Sequence, residues 1–195
     1  MRRQEANAVI DAIGAWAIRR DDIRAMALVG SWARGNPHRA SDIDVLLLTD
    51  NADEYRPRRT WLCEIDFRSA GYRLHSTKTT FYGVVWSRHV YLRPTAELEL
   101  TFADCSWAET EPVDEGTRRV VKDAIRIIFD RDGSLARCIH AVKSGYPCRS
   151  AIRYVASATF VIGGGLPTGA LGTSFAPTMS VRPTRSYSLQ TLPSQ

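Results

Sequence analysis

No aspartate or glutamate follows Asp132 in this 195-residue chain. The formal net charge of +5 and the pI near 9.2 therefore belong to the C-terminal part of the chain. There Arg137, Lys143, Arg149, Arg153, Arg182 and Arg185 stand without acids. Residues 1–132 hold all 21 acidic side chains and 20 of the 26 basic ones, and are nearly neutral. Tracking a phosphate backbone needs a basic stripe that such a domain does not offer, so nucleic acid is not the expected partner. The four cysteines (Cys63, Cys105, Cys138, Cys148) form no CxxC, and the four histidines show no HxxxH spacing. A disulfide framework and a zinc site are not expected. No GxSxG elbow occurs, which leaves covalent serine chemistry without support. The longest apolar run, Tyr154–Ile162, falls far short of the ~20 residues that span a bilayer. The start, MRRQEANAV, has no apolar signal core. These absences predict a cytoplasmic protein with no membrane association.

The residues present alternate between helix-like and strand-like patterns. Val9, Ile10, Ile13, Trp16 and Ala17 recur at helical spacing within Glu5–Arg20. Ala25–Val29 reads as a buried strand that ends in a turn at Gly30. Asp42–Leu48 (DIDVLLL) reads as a strand covered on both faces. Residues 50–60 are polar and predict a loop or short helix. Tyr82–Leu92 and Glu97–Phe102 predict two strands joined by a hairpin turn at Arg93-Pro94-Thr95. Asp114–Ile128 starts as a helix, with acids against the positive end of its dipole, and turns strand-like at Ile125–Phe129. A domain over residues 1–143 follows. Residues 144–195 contain 25 Gly, Pro, Ser or Thr, and predict a basic tail that is partly disordered or loosely packed. Its Gly163–Gly169 cluster lacks the Lys-Ser/Thr of a phosphate loop.

The chemistry concentrates between Gly30 and Asp44. Gly30-Ser31 follows one strand, ten residues intervene, and Asp42-Ile43-Asp44 opens another. Residues two apart on a strand face the same way, so Asp42 and Asp44 project together and repel. A hard divalent cation such as Mg²⁺ resolves that repulsion, and it binds carboxylates together with substrate phosphates. A small-residue turn upstream lets backbone N–H groups approach a phosphate. Glu97 and Glu99 alternate with Leu98 and Leu100 and add carboxylates on a further strand. Arg34 and Arg39 lie between the two motif halves, where a guanidinium reaches a phosphate oxygen. Each is equally an exposed loop arginine.

The stretch VGSWARGNPHRASDIDVLLLT resembles the signature of the nucleotidyltransferase superfamily, in its minimal and antibiotic-modifying branch. The similarity runs on through Tyr82-Gly83-Val84-Val85, Glu97-Leu98-Glu99, Ser106-Trp107-Ala108 and Gly116–Val121, over about residues 7–142. The resemblance implies an α/β (α+β) fold, a small mixed sheet flanked by helices of the polymerase beta-like kind. It implies that Asp42, Asp44 and a third acid bind two Mg²⁺ ions. Glu99 is the preferred third ligand, and Glu97 is then an acceptor-side carboxylate. Gly30 and Ser31 would hold the β- and γ-phosphates of a nucleoside triphosphate, with Arg34 and Arg39 assisting. The implied reaction transfers NMP, AMP from ATP being the expected case, to a hydroxyl and releases pyrophosphate. The acceptor is either a small molecule of aminoglycoside type or a protein, as in a toxin–antitoxin pair. The alternative is a non-catalytic module that keeps the fold and binds nucleotide or partner without transfer.

Overall fold

The computed structural model describes residues 2–38 and 40–145. Arg39, Cys148, the Gly163–Gly169 cluster and nearly all of the predicted 144–195 tail lie outside the described residues.

Helix α1 (Arg3–Ile18) opens with the Arg2 backbone N–H donating to the Glu5 carboxylate at 2.9 Å. It buries Ala6, Val9, Ile10, Ile13, Trp16 and Ala17, the stripe that its spacing predicts. Strand β1 (Ile23–Val29) runs into a one-turn helix α2 (Gly30–Ala33), and β2 (Ile43–Thr49) follows. Residues 50–60 hold a short 3₁₀ turn at Ala52–Tyr55, and a second begins at Thr60. Next come β3 (Arg73–Tyr82), β4 (Val85–Arg93) and β5 (Ala96–Asp104). Helix α3 (Glu115–Asp123), β6 (Ile125–Asp130) and α4 (Ser134–Lys143) complete the domain. The Asp114 side chain caps α3 by accepting from the backbone N–H groups of Gly116 and Thr117.

Helix α4 and the one-turn helix α2 were not anticipated from the sequence, and two strands differ from its reading. The span Tyr82–Leu92 is not one strand, because a turn at Gly83-Val84 separates β3 from β4. β3 itself is missed by the pattern: as the outer strand it is mostly exposed, so it carries no apolar alternation. Gly83 has φ +65°, a conformation open to glycine at little cost.

The six strands form one mixed sheet in the order β3-β4-β5-β2-β1-β6. β2 and β5 run parallel, and the other neighbouring pairs are antiparallel. Strand alternation splits the core in two. One face sends Met26, Leu28, Ile43, Val45, Leu47, Leu98, Leu100 and Phe102 against α1 and the 3₁₀ turns. Trp86 stacks on Phe102 there, with ring centroids 4.6 Å apart. The other face sends Ala25, Ala27, Leu46, Leu48 and Ala103 against α3 and α4. That second core ends before the outer strands: Arg73, His75, Lys78 and Arg93 are exposed, and His89, Tyr91 and Glu97 are half-buried.

Candidate active site

The alternation that sends Leu46 and Leu48 into the second core puts Asp44 and Asp42 on the same face, at the start of β2. β5 lies beside β2 in a register that pairs Asp44 with Glu99, Leu46 with Thr101 and Leu48 with Ala103. Glu99 therefore enters the same cluster. One carboxylate oxygen from each of Asp42, Asp44 and Glu99 lies within 4.8 Å of the others, and all three residues are half-buried. The structure thus separates the two glutamates. Glu97, one pleat earlier, sits outside the cluster with Oε1 3.7 Å from His89 Nδ1.

Burial pushes the Asp44 carboxyl up to about 7, and the negative charges of Asp42 and Glu99 push the same way. The Arg34 guanidinium opposes them without cancelling the effect. Three carboxylates gathered in a half-buried site form a hard-oxygen donor set suited to a divalent cation. A divalent metal fits these residues.

Gly30 stands directly against this cluster. Its φ is +62°, and a Cβ placed on it would lie 2.5 Å from Asp44 Oδ2. Only glycine satisfies both the backbone conformation and the approach of the carboxylate. The Ser31 hydroxyl is buried with no hydrogen-bond partner, a polar group available to an incoming oxygen. Trp32, next in the chain, packs into the core. Arg34 forms an ion pair with Asp123 at the end of α3.

Three neighbours were not singled out by sequence. His89 stands opposite Glu99 across the β4–β5 hairpin, with Nε2 4.0 Å from Glu99 Oε1. The predicted hairpin turn at 93–95 was sufficient to give that pairing. Tyr82 ends β3 near the cluster; burial raises its hydroxyl's proton affinity first, followed by the charge of Glu99 and a hydrogen bond to it. Asp123, the partner of Arg34, had no sequence signal, because the contact joins residues 89 positions apart.

Three acids converging at the start of a strand, beside a left-handed glycine, form an arrangement that could hold a metal ion. Residues 16–89 match the family of nucleotidyltransferase domains. The matched stretch contains Gly30, Ser31, Asp42 and Asp44, and over it the chain is similar to nucleotidyltransferase domains. An aminoglycoside 6-adenyltransferase from Bacillus subtilis is a structural neighbour at a TM-score of 0.42 and 14% identity, covering 57% of this chain and 38% of that one. The chain thus spans well under half the length of that neighbour. No curated protein matches the chain.

Proposed function

We propose that this domain transfers a nucleoside monophosphate, AMP from ATP, to a hydroxyl acceptor and releases pyrophosphate, with Mg²⁺ held by Asp42, Asp44 and Glu99. The observation that carries the reading is the convergence of these three carboxylates against Gly30. Magnesium, when bound, supplies the positive charge that offsets the triphosphate and the carboxylates.

The chain's own residues have distinct tasks. Gly30 lets the backbone and Asp44 approach each other, and the Ser31 hydroxyl finds its missing partner in a phosphate oxygen. Arg34 exchanges Asp123 for a phosphate, a change that costs little because both partners are about half exposed. The acceptor oxygen forms its bond to the α-phosphorus while the bond to the bridging oxygen breaks, and pyrophosphate leaves with that electron pair. Glu97, beside the cluster and partly exposed, takes the acceptor's proton. Two observations support the reading: three carboxylates converge in one cluster, and burial with neighbouring negative charge crowds Asp44, which a bound cation would relieve.

The test is label transfer from α-labelled ATP with Mg²⁺, offering the full chain a panel of hydroxyl-bearing small molecules and candidate proteins. Transfer that disappears in Asp42→Ala and Asp44→Ala supports the reading. Transfer that survives both substitutions overturns the assignment of the site.

A further inference from the structure

The open face of the outer strands continues the active site in ordered rows. The first row crosses four strands: Asp44, Glu99, His89 and Lys78 are successive cross-strand partners. In the next, Glu97 pairs with Tyr91, and Tyr91 with Ser76. In the last, Arg93 stands opposite Arg73. Charge thus changes from acidic at β2 and β5 to basic at β3 and β4.

The basic end is unusual for a sheet. Like charges directly opposite one another are unfavourable. Among the described residues, neither Arg73 nor Arg93 has a carboxylate within ion-pair distance. Arg93 Nη2 instead lies 3.2 Å from His75 Nε2, a nitrogen and not an acid. Beside them opens a cavity of about 320 Å³ lined by Ser41, His75, Tyr91, Arg93, Thr95 and Glu97, among others. Ser41 immediately precedes Asp42, and Glu97 is two residues from Glu99, so this cavity adjoins the acidic cluster.

Gly30 and Ser31 lie on the β1 side of the cluster, and the cavity lies on the β5–β4–β3 side. An in-line transfer needs its leaving group and its nucleophile on opposite sides of the reacting phosphorus. We propose that this cavity is the acceptor subsite, and that the acceptor is a hydroxyl compound whose phosphate or carboxylate group is held by Arg93 and His75. The inference rests on the transfer reading given above and specifies its acceptor. A guanidinium matches either anion through paired hydrogen bonds. A cationic group entering the cavity beside Arg93 would be repelled by its guanidinium.

The experiment follows the side-chain resonances of His75 and Arg93 in the full chain, without nucleotide or metal, during titration with inorganic phosphate and, separately, acetate. At least one anion shifts both resonances, and the affinity falls about tenfold in R93Q, the loss of one charge-assisted contact. The anion with the lower half-saturation identifies the group that the acceptor carries. The shifts persist in S31A, which separates this subsite from the triphosphate side. Shifts unaffected by R93Q, shifts abolished by S31A, or the same resonances moved by an aminoglycoside overturn the proposal. A parallel titration of the wild-type chain with Mg²⁺ and a non-hydrolysable ATP analogue reads Asp44 instead. Its failure counts against the transfer reading and leaves the anion result standing.

Discussion

Asp44 on β2 and Glu99 on β5 are directly opposed partners in parallel strands, so two carboxylates occupy one level of one sheet face. Asp42 adds a third from the residue just before β2. The sheet pays for this crowding in proton affinity, and that cost can be measured.

The folded chain keeps a proton on Asp44 up to about pH 7, whereas the unfolded chain releases it near the ordinary value of 3.8. This group's contribution is therefore present below about pH 4 and is lost as pH rises toward 7. Without metal, Asp44→Asn is expected to be more stable than the parent by about 1–3 kcal/mol above pH 7. The gap narrows toward pH 4. Urea melts in EDTA from pH 4 to 8 check this, and a pH-independent difference would contradict it.

Metal should reverse the penalty. Mg²⁺ at a hundred times its dissociation constant is expected to stabilise the parent chain by about 2.7 kcal/mol, and EDTA to remove the gain. Asp42→Ala and Glu99→Gln lose this stabilisation, while Glu97→Gln keeps it and lowers only the rate of transfer. Thermal melts with and without Mg²⁺ distinguish the two glutamates. Equal losses in Glu97→Gln and Glu99→Gln would contradict their separation.

Gly30 and Ser31 are neighbours with opposite expected signatures. Gly30→Ala strains a backbone at φ +62° and drives a Cβ against Asp44, so it is expected to cost about 2 kcal/mol and to reduce transfer at least tenfold. Ser31→Ala removes a buried hydroxyl that has no partner, so stability should change by no more than about 0.5 kcal/mol. Its effect appears instead as a roughly tenfold higher KM for nucleotide. A stability loss in Ser31→Ala as large as in Gly30→Ala would contradict this division.

Arg34 is held by Asp123, an exposed pair whose loss costs about 0–1 kcal/mol. Asp123→Asn frees the guanidinium and is expected to lower the nucleotide KM about two- to threefold, while Arg34→Gln raises it. Steady-state kinetics at low salt resolves the two directions. An unchanged KM in both variants removes Arg34 from nucleotide binding.

Much of this was legible in the chain. The helical stripe from Val9 to Ala17 marks α1 because burial of one face has period 3.6. DIDVLLL marks β2, and the pleat alone sets Asp42 and Asp44 side by side. Asp114 and Glu115 mark the start of α3, and Ile125–Phe129 mark β6, as observed. β3 was not legible, since an exposed outer strand leaves no hydrophobic period to read.

The sequence by itself determined that two aspartates share a strand face behind a Gly-Ser turn, because strand periodicity and glycine's backbone freedom are local properties. Strand alternation left Glu97 and Glu99 as alternatives on one side of β5, and the family resemblance preferred Glu99. Only the tertiary structure set Glu99 level with Asp44, through the parallel register of β2 with β5. It also joined Arg34 to Asp123 and aligned His89 and Lys78 with the acids. Parallel strands have no hairpin between them, so their register is set by how the two cores pack on either side of the sheet.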